Sequence, residues 1–83
     1  MIHRDDLEIG KIYYCGRLGT PRDYDRITWL IEITALCDGC IDEHYIYLHE
    51  SCCKIRTGTT GYDQVIREAT AEEKKLFLLK KIC

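Results

Sequence analysis

Two cysteines separated by two residues can grip one metal ion, and this chain carries such a pair at Cys37-Asp38-Gly39-Cys40. The spacing lets both thiolates point at a single ion, as in half of a zinc knuckle. Cys52 with His49 would supply the second half, with Cys53 and His44 as substitutes. Thiolate and imidazole suit zinc, and four ligands close a structural site. Neighbouring Cys52 and Cys53 would face opposite sides of a strand, so only one of them would ligate. The same tetrapeptide also reads as architecture. Asp-Gly between two apolar runs signals a tight β-hairpin, with Gly39 free to take a positive φ and the sulfurs acting as small hydrophobes. A redox role fits less well, because a redox Cys-x-x-Cys sits at a helix N-terminus and a β-turn is expected here.

A second chemistry is anion binding. Arg17, Arg22 and Arg26 line a stretch that also holds two glycines and the only proline. The segment 57–61, with Thr59 and Thr60, reads as a loop offering free backbone N–H groups and hydroxyls. Such loops cradle phosphate, with Arg clamping it and an aromatic ring stacking on a base. Asp23 and Asp25 interleave with the arginines and neutralise much of the local field. No Walker or dinucleotide fingerprint accompanies them.

Catalysis has less to build on. A cysteine with His44 or His49 could make a nucleophile and base, and Asp5, Asp6, Asp42 and Glu43 could supply paired carboxylates. Neither set has distinguishing local context, and small chains rarely form a cleft that excludes water. The reading is therefore non-enzymatic. The six tyrosines with Trp29 have the composition of a contact surface, because Tyr, Trp and Arg are enriched at hot spots. Trp29, Tyr45, Tyr47, Asp42 and Glu43 are the residues expected to touch a protein partner.

The elements that must position these groups follow from periodicity. Eighty-three residues make one domain, 1–83, with a small core that often needs a metal or a partner chain for support. The formal charge of −2 disfavours broad nucleic-acid binding. A polar N-terminus without an apolar h-region, and no apolar run of about 20 residues, predict a cytoplasmic protein without a membrane span. Thiols stay reduced in that compartment. A first strand is predicted over 11–16. The clearest strand runs over 27–37, with Trp29, Ile31, Ile33, Ala35 and Cys37 on one face. Residues 40–48 return as its partner. A two-residue turn would set Cys37 against Cys40, Ala35 against Asp42, Ile31 against Ile46 and Trp29 against Leu48. A short strand is expected within 62–66.

Thr70-Ala71-Glu72-Glu73 is a capping box, with acidic residues in the first turn and Lys80-Lys81 in the last. It predicts a helix over 71–82, whose apolar stripe is Leu76, Leu79 and Cys83, widened by Phe77 and Leu78. That much apolar perimeter predicts a helix that is well buried or that meets another chain, and with the thin core it favours a homodimer. The expected fold is α+β: a bent antiparallel sheet or SH3-like barrel of four or five strands over 7–66, closed by the C-terminal helix.

The stretch Leu7-Glu8-Ile9-Gly10-Lys11-Ile12-Tyr13-Tyr14 resembles the opening strand of small SH3-like barrels. The stretch from Ile66 to Lys74, with its Ala-Thr-x-Glu-Glu box, resembles the closing motif of short uncharacterised proteins of phages and mobile elements in gut bacteria. The resemblance implies an accessory protein in the host cytosol that acts by binding, for example by inhibiting a host defence protein. Its alternatives are an oligomer that sequesters a nucleotide signal through the arginine-bearing loops, and a zinc-stabilised interaction module. No cofactor other than zinc is implied.

Overall fold

The computed structural model describes residues 3–16, 28–48 and 54–82. Five strands form one antiparallel sheet: β1 (Ile12–Gly16), β2 (Thr28–Leu36), β3 (Ile41–Tyr47), β4 (Arg56–Thr60) and β5 (Val65–Glu68). Short 3-10 turns stand at Arg4–Asp6 and Tyr62–Gln64, and the helix α1 (Ala71–Ile82) ends the described chain. The strand order is β4-β3-β2-β1-β5. β4 and β5 are its two edges, so the sheet stays open and does not close into a barrel.

The helix has the bounds that its capping box predicts. The backbone N–H of Glu73 donates to the Thr70 hydroxyl at 3.2 Å, and the Thr70 N–H donates to the Glu73 carboxylate at 2.8 Å. Arg67 adds a two-pronged pair to the same carboxylate at 2.6 and 3.1 Å and lies over the Tyr14 ring at 4.2 Å. That guanidinium holds the Glu73 carboxyl below its ordinary range. The helix packs through Phe77, its one buried residue. Phe77 meets Ile12, Leu30, Ile46 and Ala69 in one of two core clusters. The expected stripe is corrected accordingly: Leu76, Leu78 and Leu79 are all exposed, and Cys83 lies outside the described residues. A single bulky ring over the sheet fixes the helix rotation, and that choice depends on tertiary fit.

The second cluster lies on the other face and contains Leu7, Tyr13, Cys15, Trp29, Ile31, Ile33, Ile41 and Val65. Both faces of the central strands are therefore buried, which the alternating sequence of β2 only half suggests.

The hairpin doubles back at Asp38-Gly39, with the Cys37 N–H donating to the Cys40 carbonyl at 3.0 Å. Gly39 does not use a positive φ; among the described residues only Gly10 does, at 90°. Near the turn the register is the expected one, Ala35 against Asp42. A bulge between Ile33 and Ala35 then shifts the pairing by one residue. Below it Leu30 faces Ile46, Ile31 faces Tyr45 and Trp29 faces Tyr47, in place of the expected Ile31–Ile46 and Trp29–Leu48 pairs. A one-residue shift moves a whole strand's side chains to the other face. Tyr45 and Tyr47 thereby join Trp29, while Ile46 joins the face under the helix.

The segment expected as the loop 57–61 is the edge strand β4, paired with β3 from Ile41–Thr60 to Tyr45–Arg56. Its Gly and Thr content hides a strand that β3 recruits by backbone pairing. The short strand expected over 62–66 starts later, at Val65, after the 3-10 turn.

Candidate functional site

One face of β3 reads Ile41, Glu43, Tyr45, Tyr47, so a carboxylate stands in an otherwise apolar row. Glu43 is 2% exposed, and among the described residues neither of its carboxylate oxygens has a hydrogen-bond partner. Burial pushes its carboxyl up to about 7. The Thr60 hydroxyl opposes this more weakly, without standing in hydrogen-bond geometry to either oxygen.

Glu43 lines a cavity of about 190 Å³ with Trp29, Tyr45, Tyr47, Thr60 and Gln64. The walls are fixed by their own contacts. The Trp29 indole N–H donates to the Thr60 hydroxyl at 3.1 Å in a buried bond. Tyr47 stands edge-on to Trp29, with ring centroids 6.4 Å apart at 71°. Tyr45 stands edge-on to Tyr47 at 5.3 Å and 76°. Such edge-to-face pairs keep aromatic rings at defined angles. The cavity thus joins aromatic side chains to one buried carboxylate that has no hydrogen-bond partner among the described residues, a combination suited to positive charge.

A second constellation sits at the hairpin tip. The donor atoms of Cys37, Cys40 and Asp42 lie within 4.8 Å of one another. The Cys37 thiol donates to Asp42 Oδ2 at 3.5 Å, and this carboxylate pushes the Cys37 thiol up from its ordinary value. The Tyr62 hydroxyl and the Arg4 guanidinium both donate to the Cys37 carbonyl, the latter at 3.4 Å.

The residues expected at a protein contact divide between these two places. Trp29, Tyr45, Tyr47 and Glu43 come together at the cavity. Asp42 stands beside Cys37 instead, because neighbours on a strand face opposite ways. Asp42 and Glu43 therefore do not form a common acidic patch. Of the anion set, Thr60 accepts from Trp29 and Thr59 is exposed on β4. Arg17, Arg22 and Arg26 lie outside the described residues, as do Cys52 and His49. His44 pairs with Glu32 across the sheet, its Nδ1 3.7 Å from a carboxylate oxygen. Cys15 is fully buried, and burial drives its thiol far up, which leaves it inert as a nucleophile.

Three features of the cavity are absent from the sequence reading: the buried state of Glu43, the Trp29–Thr60 bond and the contribution of Gln64. The one available signal was the period-two row Ile41, Glu43, Tyr45, Tyr47, in which a lone carboxylate interrupts a burying face.

No protein-family model matches the chain, and neither a curated protein nor a solved structure matches it.

Proposed function

We propose that this protein is a non-enzymatic binding module whose aromatic cavity receives an organic cation, such as the lysine or methylated ammonium end of a partner protein. The observation that carries this reading is Glu43, buried beside Trp29, Tyr45 and Tyr47 with no hydrogen-bond partner among the described residues. A buried carboxylate without a partner is costly, and a bound cation would remove that cost. Size supports the same reading. A cavity of ~150 Å³ admits benzene, so about 190 Å³ suits a trimethylammonium or guanidinium group. It falls short of the roughly 300–1,000 Å³ typical of sites for whole small molecules. The ligand is then an end group presented on something larger. The charge of the floor also favours a cation over a nucleotide phosphate.

Titration at pH 8 with capped lysine, capped trimethyl-lysine and capped glutamate tests the reading. Trp29, the only tryptophan, reports occupancy by fluorescence. The cationic probes should give saturable changes and the glutamate probe none. A response to glutamate alone, or to none of the three, would contradict the proposal.

A further inference from the structure

We propose that the tip of the β2–β3 hairpin is a second, independent site, which binds one thiophilic divalent metal ion through Cys37 Sγ, Cys40 Sγ and the Asp42 carboxylate. Three donors from one hairpin lie within 4.8 Å of one another. Tetrahedral zinc with Zn–S of about 2.3 Å and Zn–O of about 2.0 Å requires an S···O edge of about 3.5 Å. The Cys37 Sγ to Asp42 Oδ2 distance is 3.5 Å. This edge already has the length that coordination needs, and the Cys40 sulfur stands within 4.8 Å of both donors in a turn closed by the Cys37–Cys40 backbone bond.

The ligand chemistry selects the class of ion. Two thiolates favour zinc, cadmium or cobalt over magnesium or calcium, which prefer all-oxygen shells. Binding converts both thiols to thiolates and releases their two protons to solvent. The metal then carries three anionic ligands, one more negative charge than it neutralises. Arg4 stands where it offsets that excess, its guanidinium 3.4 Å from the Cys37 carbonyl and 4.0 Å from the Asp38 carboxylate. The Tyr62 hydroxyl anchors the same carbonyl, so the backbone that presents the first sulfur is held from outside the hairpin. Among the described residues these three donors are the ones that converge, and a water would complete the fourth position. Glu43, one residue beyond Asp42, faces away into the aromatic cavity and takes no part.

Cobalt(II) titration of the reduced full chain tests the site. The expected result is one cobalt per chain, with the visible bands of a tetrahedral ion and a near-ultraviolet thiolate-to-cobalt band. Both bands should vanish in Cys37→Ser and Cys40→Ser, and Asp42→Asn should weaken binding at least tenfold. Unchanged bands in Cys37→Ser, or no uptake by the wild type, would overturn the proposal. A measurement on the wild type alone guards against variants that fail to fold. Zinc should protect Cys37 and Cys40 from alkylation, as mapped by mass spectrometry, and full labelling of both in saturating zinc would overturn the site. Glu43→Gln should leave cobalt binding intact, which separates this site from the cation cavity.

Discussion

The Tyr45 ring rests against the bare backbone of Gly58: a Cβ on Gly58 would stand 2.7 Å from Tyr45 Cε1. Gly58 pairs with Glu43 and is diagonal to Tyr45 across β3 and β4, the placement at which a large ring reaches over a neighbouring strand. The absent side chain therefore makes room for one wall of the cavity.

Gly58→Ala should displace the Tyr45 ring and deform that wall. Tyr45 is only partly buried, so the ring can yield, and the stability change should stay under about 1 kcal/mol, below the usual cost of overpacking a closed core. Affinity for cationic probes should fall severalfold. Probe titration together with the Tyr45 ring resonances checks this; an unmoved ring with wild-type affinity would contradict it.

Glu43 gives stability a pH dependence of definite sign. Its carboxyl is raised from 4.5 to about 7 in the folded chain, so between those values the folded state holds a proton that the unfolded state has lost. Stability therefore falls as pH rises through that window and reaches its full deficit above 7. At about 1.4 kcal/mol per pK unit the ceiling is roughly 3 kcal/mol. Glu43→Gln should accordingly be more stable than wild type by about 2 kcal/mol at pH 8.5 and nearly equal to it at pH 4. Denaturant titrations at several pH values check this. A difference between the two proteins that does not change with pH would contradict the burial of an uncompensated carboxylate.

The buried contact of the helix is made by one side chain. Phe77 is fully buried, whereas Leu79 is 53% exposed. Phe77→Ala should cost about 3–5 kcal/mol, as for other buried aromatic truncations. That is a large share of the roughly 4–12 kcal/mol expected of a domain this size. Leu79→Ala should cost less than about 1 kcal/mol. Chemical denaturation of the two variants distinguishes this arrangement from a helix docked through Leu76 and Leu79, which would reverse the order.

Local signals in the sequence were legible where local physics decides. The Thr70–Glu73 box placed the helix, and Asp38-Gly39 placed the turn with the register next to it. The signal failed where long-range fit decides. The bulge at Thr34 follows from no propensity, yet it moves Tyr45 and Tyr47 to Trp29's face and so builds the cavity. β4 is a strand because β3 offers it an edge, against the tendency of Gly58. The burial of Glu43 required knowing which face of β3 packs inward, and an error of one residue in register conceals that. Of the metal ligands, the Cys-x-x-Cys pair was visible at once. Asp42 joins it only because the hairpin pairs it with Ala35, close to Cys37.

The proposed role of Glu43 is to make the cavity selective for positive charge. It is tested most directly by comparing choline with its neutral carbon isostere, 3,3-dimethylbutanol, in wild type and in Glu43→Gln at pH 8. The two probes share shape and differ in charge. Trp29 fluorescence titrations should show choline binding to wild type at least tenfold more tightly than the alcohol, with the preference lost in Glu43→Gln. Equal affinity of wild type for both probes, or a choline preference that survives the substitution, would contradict the account.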